Sequence, residues 1–145
     1  METQNLEKLL KDTDIEVRKD VLENLRGKPS DTYISLLLGA MEDASWRVRK
    51  TAIEILLSDY PVEKYIGGLI NLLYREDNAV ARNSSIEALI LLNKKVTPFL
   101  IEAFKTANRD VRKFIIDVLG GFKDSRSLPL GSSGATSYET YARFP

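Results

Sequence analysis

The sequence contains neither cysteine nor histidine among its 145 residues. Their absence excludes disulfide bonds, thiol nucleophiles, imidazole general bases and the usual zinc and copper ligands. Because most enzyme mechanisms depend on one of these groups, we expect a protein that is not an enzyme and that needs no cofactor or metal.

The sequence also lacks a net charge and a long apolar run. Lys+Arg and Asp+Glu both number 21, so no overall positive charge draws the chain to nucleic acid or to an anionic membrane. No apolar run approaches the roughly 18 residues of a membrane-spanning helix, and the first eleven residues do not resemble a signal sequence. These observations predict a cytoplasmic protein with no membrane partner.

One sequence pattern occurs four times. If Val17, Val48, Ala81 and Val111 are taken as position 0, the spacings are 31, 33 and 30 residues. Position +1 is always arginine, +5 is leucine or isoleucine, +6 is an acid and +8 is leucine. A period of about 30–35 residues with helical spacing inside each copy predicts an all-α solenoid of stacked antiparallel helix pairs. We expect about four repeats and about eight helices, each repeat ending in an inner helix that carries the pattern.

Glycine and proline residues mark the helix boundaries. We expect Gly27 to stop the first inner helix and the Gly120-Gly121 pair to end the last. Asp124–Leu130 resembles the opening of a further outer helix, because Pro129 follows Pro98 by one period. The inner helices are predicted near residues 15–26, 46–58, 78–92 and 109–120.

The composition changes near the C-terminus. Gly131-Ser132-Ser133-Gly134 has the composition of a flexible linker, and residues 135–145 fit no position of the repeat. We therefore predict a repeat array over 1–130, a linker over 131–134 and an appended peptide or cloning-derived tail over 135–145. The interrupted fifth unit indicates that a longer natural array was cut.

The repeat resembles the HEAT and HEAT-like repeats of the phycobilisome-lyase type. The resemblance rests on outer-helix prolines, on an acid five residues before position 0 and on the arginine at +1. Those residues are Pro98 and Pro129, then Asp12, Asp43 and Glu76 with Thr106 departing, then Arg18, Arg49, Arg82 and Arg112. The resemblance implies a scaffold or adaptor whose inner helices line a concave face. It also implies that each +1 arginine packs between repeats and pairs with a preceding acid, which we favour over a ladder of anion-binding side chains.

Residues that face away from the predicted core are candidates for binding. Helical phase places positions −1, +2, +3, +6 and +9 outward. Asn83 replaces a lysine at +2, Phe114 replaces small or polar residues at +3, and Trp46 stands at −2; Leu57 and Ile90 at +9 would form an apolar floor. A solvated charged face, with the aromatics packed under neighbouring helices, is the alternative. The candidate peptide- or protein-binding residues are Trp46, Lys50, Asn83, Glu87, Lys113, Phe114 and Asp117.

The tail carries three regularly spaced aromatic residues. Tyr138, Tyr141 and Phe144 lie three residues apart, with Arg143 available for a charged contact. We predict that this segment is a peptide ligand for the concave face of its own or a neighbouring molecule; a cloning scar is the alternative.

Three functions remain open from the sequence. The first is a non-enzymatic scaffold that binds a peptide or protein segment. The second is nucleic-acid binding, although an acid at +6 in every repeat counts against it. The third, implied by the resemblance alone, is an accessory subunit of a bilin-lyase-like enzyme. The basic stripe for nucleic acid would consist of Arg47, Arg49, Lys50, Arg109, Arg112 and Lys113.

Overall fold

The computed structural model of the protein describes residues 3–127, with side chains up to Phe122. Within that range the backbone forms eight α-helices and two short 3-10 turns, and no β-strand. The prediction of an all-α fold is confirmed. No helix in this range is long and apolar enough to cross a membrane.

The chain divides after Tyr65 into two compact units. Unit 1 contains two helix pairs, α1 with α2 and α3 with α4. The outer helices α1 and α3 pack against each other, and the inner helices α2 and α4 do the same. Its elements are α1 (Thr3–Leu9), α2 (Ile15–Glu23), α3 (Asp31–Ala40), α4 (Trp46–Asp59) and a 3-10 turn (Val62–Lys64).

Unit 2 repeats the same arrangement. Helix α5 pairs with α6 and α7 with α8, while α5 contacts α7 and α6 contacts α8. Each unit is therefore a stack of two helix pairs, as the periodicity predicts for an α-solenoid. Its elements are α5 (Ile66–Leu72), α6 (Ala79–Leu92), a 3-10 turn (Asn93–Val96), α7 (Thr97–Thr106) and α8 (Arg109–Ser127).

Polar side chains start the inner helices. In unit 1, Asp14 and Ser45 each accept a hydrogen bond from the backbone N–H two residues on. In unit 2, Asn78 and Asn108 accept from the N–H groups three residues on, both at 2.9 Å. These caps satisfy backbone donors that a helix start leaves unpaired.

The +1 arginines fasten the turns between the two helices of a pair. The sequence predicted a preceding acid as their partner; the acceptor that all four share in the structure is a backbone carbonyl six to eight residues earlier in the chain. A carbonyl is the available acceptor because carbonyl groups at the end of a helix and in the turn that follows have no intrahelical N–H partner. The arginine and carbonyl residues are Arg18 with Asp12, Arg49 with Asp43, Arg82 with Arg75, and Arg112 with Phe104.

Most of the predicted core positions are buried, and the clearest departures are at +3 and, at +5, in Ile116, which is exposed. Thr51 and Ser84 at +3 are buried, although they were predicted to face outward. Both are small, and Thr51 satisfies its hydroxyl by donating to the Arg47 carbonyl at 2.9 Å. Position +3 therefore belongs to the margin of the buried face, and the exposed stripe of the inner helices is narrower than predicted.

Helix α8 does not end at the predicted glycine pair. It continues to Ser127, so residues 124–127 belong to this helix and not to a new outer helix. A Cβ atom built on Gly121 would lie 2.8 Å from Cδ1 of Ile90 on α6, whereas one on Gly120 would meet nothing within 4 Å. Gly121 is thus a close-packing residue and not a helix terminator. The remaining predictions about 128–130, the linker 131–134 and the tail 135–145 lie outside the described residues.

Candidate binding surfaces

The first candidate surface lies in unit 1, at the start of α4. Trp46 is 50% exposed, and Nζ of Lys50 lies 5.8 Å from the centre of its indole ring. The two residues are four apart in the helix, so they occupy the same side. The sequence-predicted pair of Trp46 and Lys50 is therefore brought together as one exposed cation–aromatic contact.

A second exposed apolar side chain lies beside Trp46. Ile15, which is 41% exposed, lines the same open concavity of about 560 Å³. We call this concavity the Ile15–Trp46 cleft. The other residues that line it come from the two turns that precede α2 and α4: Thr13, Asp14, Glu16, Ala44, Ser45 and Arg47.

The two turns that form the cleft are built alike. The carboxylate of Asp12 accepts the N–H of Asp14 at 2.8 Å, and the carboxylate of Asp43 accepts the N–H of Ser45 at the same distance. The residue that donates is in each case the one whose side chain caps the following helix. Since the same bonds hold both turns, the residues directly after them, Ile15 and Trp46, are presented in equivalent positions.

The rim of the cleft is charged. Nη1 of Arg47 lies 3.4 Å from Oε2 of Glu16, and both side chains are more than half exposed. An ion pair this exposed contributes little to stability, so it can exchange partners at low energetic cost. The cleft thus combines apolar side chains with charged groups that a ligand can recruit.

Ile15 was not among the sequence-predicted site residues. It stands at −2, the same position of the repeat as Trp46. The repeat register could have identified it, because equivalent positions in consecutive repeats lie next to each other in a stacked array.

The remaining predicted residues lie in unit 2, where they do not form a single site. Asn83 and Glu87 lie one turn apart on α6 and are half-buried, whereas Lys113 and Asp117 are exposed on α8. Phe114 was predicted to face outward with the latter two. It is half-buried, and the guanidinium of Arg82 lies 5.5 Å from the centre of its ring.

Phe114 belongs to a different concavity, of about 290 Å³. Tyr74, which sequence reasoning missed, also lines it, together with Arg75 and Arg82. Ile90, predicted as part of an apolar floor, is buried and directed to Gly121, so it is part of the core. Phe114 and Ile90 therefore do not share a groove: Phe114 lines a concavity that contains both basic and acidic side chains, the latter being Glu76 and Asp110.

The basic stripe proposed for nucleic acid is only partly available. Arg49 is buried and donates to the carbonyls of Asp43 and Ala44 at 2.7 and 3.1 Å. Arg47 is paired with Glu16, while Lys50, Arg109 and Lys113 are exposed. No group of three or more acidic side chains in the described part of the chain is arranged to hold a metal ion.

A family model of HEAT repeats matches residues 3–90, which is more than half of the 145 residues. The match covers the four helices of unit 1 and the first helix pair of unit 2 up to Ile90. It does not distinguish the phycobilisome-lyase type. A comparison with curated proteins finds no significant match.

Proposed function

The chain belongs to the HEAT-repeat family, whose members generally mediate protein–protein interactions, and from this premise we propose that it is a non-enzymatic interaction module that binds a peptide segment of a protein partner in the Ile15–Trp46 cleft. A cytoplasmic scaffold or adaptor role is part of the same proposal.

The observation that carries the proposal is the exposure of Trp46 next to Ile15. Tryptophan is enriched among the residues that dominate the energy of protein interfaces, because it buries a large apolar area at a small entropic cost. Here half of its surface is in contact with water, although Val48, Ala52, Ile53, Ile55 and Leu56 of the same helix are buried. An exposed aromatic residue with an aliphatic neighbour and a charged rim has the composition of a binding site.

The cleft favours a particular kind of peptide. An aromatic or aliphatic side chain of the peptide would lie between Ile15 and Trp46. Next to this anchor, an acidic residue would reach Lys50 or Arg47, and a basic residue would reach Glu16. The preferred partner is thus a short segment with one large apolar residue flanked by charges of opposite sign.

Nucleic-acid binding is a weaker candidate. A phosphate backbone requires several free cations in a row. In unit 1, Arg47 has a carboxylate partner and Arg49 is buried, so Arg47, Arg49 and Lys50 do not form a row of free cations.

The sequence offers a direct assay, because Trp46 is the only tryptophan. We would select peptides from a random linear library against the purified chain and titrate each selected peptide while recording tryptophan emission. Binding in the cleft should shift the emission to shorter wavelengths, saturate with peptide and protect the indole from acrylamide quenching.

Two variants make the assay specific. Ile15→Ser retains the reporter and removes the neighbouring apolar wall, so it should weaken binding about tenfold or more, as expected for an anchor worth above 1.4 kcal/mol. Leu91→Ser, at an exposed leucine of unit 2, is the matched control and should bind as the wild type does. Selected peptides that bind the Ile15→Ser chain equally well, or that leave the emission unchanged, would refute the cleft. A mobility shift of duplex DNA at physiological salt would instead support the second function.

A further inference from the structure

The helix pair α7–α8 of unit 2 has an exposed apolar surface, although the repeat pattern predicts that such a surface is buried. Ile101 on α7 and Ile116 on α8 are more than half exposed, and they are the two most exposed large apolar side chains of the described residues. Phe104 and Leu119 flank them and are half-buried. We call these four residues the α7–α8 face.

The contacts of Arg112 show where α7 and α8 meet. Nε and Nη2 of Arg112 donate to the carbonyls of Phe104 and Lys105 at 3.1 and 3.3 Å, and the guanidinium lies 4.9 Å from the Phe104 ring centre. Antiparallel helices that meet at these residues bring Ile116, one turn further along α8, beside Ile101, one turn earlier in α7. Leu119 continues the same side of α8, so the face is continuous.

The equivalent surface is covered elsewhere in the molecule. Ile116 stands at +5 of its helix. In each unit one inner helix is followed by a second one, and its residue at +5 is covered: Leu22 is 0% exposed and Ile86 is 1% exposed. Helix α4 packs on α2, and α8 packs on α6. Within residues 3–127 no helix pair follows α8, which is why Ile116 is 57% exposed, contrary to the predicted pattern.

We propose that residues 128–145 of the same chain cover the α7–α8 face, with Tyr138, Tyr141 and Phe144 as the anchoring side chains. The segment begins directly after Ser127, at the end of the helix that carries Ile116 and Leu119. Ile116 lies eleven residues before Ser127, which corresponds to about 17 Å along a helix. An extended chain reaches about 33 Å in ten residues, so the aromatic residues can return to the face.

Proximity favours this occupant over a second molecule. A tethered segment acts at an effective concentration in the millimolar range, so weak contacts suffice for it to occupy the face. Aromatic side chains match a surface of isoleucine, leucine and phenylalanine, since they bury the most apolar area per residue. The sequence alone suggested that the tail docks near Trp46 and Asn83; the α7–α8 face lies on the helix to which the tail is attached.

The chain has no cysteine, so single thiols can report on the face. We would prepare the full chain with Ile116→Cys and, as the matched control, with Leu91→Cys, whose leucine is 48% exposed. The reaction of each thiol with a maleimide is then timed. If the tail covers the face, the thiol at position 116 should react several-fold more slowly than the one at position 91.

Tail variants distinguish the aromatic anchors from the mere presence of the segment. Replacing Tyr138, Tyr141 and Phe144 by serine in the Ile116→Cys chain should raise the rate to that of the position 91 control. Replacing Thr136, Ser137 and Thr140 by alanine should leave the rate low. Ile101→Cys provides a second reporter if the first variant is poorly folded, as judged by circular dichroism.

Two outcomes would overturn the proposal. Equal labelling of positions 116 and 91, unaffected by the aromatic substitutions, would show that the face is open. Protection that disappears on dilution, together with dimers in sedimentation velocity, would show that a second copy of the chain is the occupant. Both outcomes concern unit 2 and leave the proposed cleft in unit 1 intact, because that cleft is assayed separately through Trp46.

Discussion

Arg18 shows how one side chain can hold both turns of unit 1. Its Nη1 donates to the Asp12 carbonyl at 2.7 Å, while Nε and Nη2 donate to both carboxylate oxygens of Asp43 at 2.9 and 3.0 Å. The bond to Asp43 raises the pKa of the Arg18 guanidinium above its ordinary value. Asp43 in turn receives the N–H of Ser45, so the two turns that present Ile15 and Trp46 are joined through one ion pair.

Arg18→Lys should therefore destabilise the protein although the charge is retained. Lysine cannot reproduce the two parallel bonds to a carboxylate. We expect a loss of about 1–3 kcal/mol in the free energy of unfolding, measured by urea denaturation. Arg26→Lys is the control, because its pair with Glu23 is exposed and should contribute less than about 1 kcal/mol. Equal effects of the two substitutions would argue against a fastening role for Arg18.

Tyr65 makes stability depend on pH in the alkaline range. Its side chain is buried, and desolvation, assisted by the charge of Glu63, raises its pKa from 10.0 to about 12. Between these pH values the unfolded chain loses the phenol proton and the folded chain keeps it. The contribution of Tyr65 to the free energy of unfolding is thus fully present below pH 10. It is lost as the pH rises to 12, which lowers the free energy of unfolding by up to about 3 kcal/mol.

Tyr65→Phe should flatten this decline, because phenylalanine keeps the packing and removes the titrating group. The free energy of unfolding would be measured from pH 9 to 12 for the variant and the wild type. Tyr74→Phe, at an exposed tyrosine, controls for the titration of lysines and other surface groups. A Tyr65→Phe curve parallel to the wild type would show that the phenol ionises freely in the folded state.

At the scale of the helix, the glycine pair of α8 separates two roles. Gly120 is exposed and has free space around it, whereas Gly121 allows α8 to approach Ile90 of α6. The approach is close enough that a single methyl group at position 121 would overlap the isoleucine side chain.

Gly120→Ala and Gly121→Ala should consequently change stability in opposite directions. Alanine is favoured over glycine in a helix by about 1 kcal/mol, so Gly120→Ala should raise the melting temperature. At position 121 this gain is opposed by overpacking, which costs about 1–3 kcal/mol, so Gly121→Ala should lower it. Gly121→Ala combined with Ile90→Val should recover part of the loss. Two equal stabilisations would show that the α6–α8 contact has room for a Cβ atom.

These glycines also show what the sequence could and could not predict. Periodicity and caps suffice for the existence of the helices, since the residues at 0, +4 and +8 carry the apolar arc along the chain. A glycine pair, however, looks the same whether it ends a helix or admits a neighbour. Which of the two applies depends on how close Ile90, on another helix, comes to position 121. The local sequence pattern contains no information on the distance between two helices.

The candidate site was predicted in part for the same reason. Trp46 and Lys50 were identified from their positions in the repeat, −2 and +2, which can be read within one helix. Ile15 was missed because its proximity to Trp46 depends on the packing of α2 against α4, and Phe114 was misassigned because Arg82 of another helix covers its ring. Contacts within a helix can be predicted from the spacing of residues in the sequence, whereas contacts between helices depend on how the helices pack.

For the molecule as a whole, repeats that share a core should unfold together when that core is damaged. Ile53 at +5 is buried, and Ile53→Ala should cost about 2–5 kcal/mol by leaving a cavity. Because repeat arrays derive stability from contacts between neighbours, this loss should lower the midpoint of the cooperative transition. The expected effect would be measured by thermal and urea unfolding.

Ile15→Ala is the control for this prediction, since it removes the same atoms from an exposed position of the same unit. Its effect should stay below about 1 kcal/mol. A melting temperature unchanged by Ile53→Ala would mean that the helical phase assigned to α4 is wrong.

The arginine-to-carbonyl bonds of the four turns have a further consequence. Neither a guanidinium nor a peptide carbonyl gains or loses a proton across the range of pH that a cell encounters. These four bonds therefore do not depend on pH within that range. The acceptor does not depend on the side chain either, because every residue has a backbone carbonyl, and here it is supplied by Asp12, Asp43, Arg75 and Phe104. The sequence of a turn can therefore differ from repeat to repeat while the arginine keeps the same role.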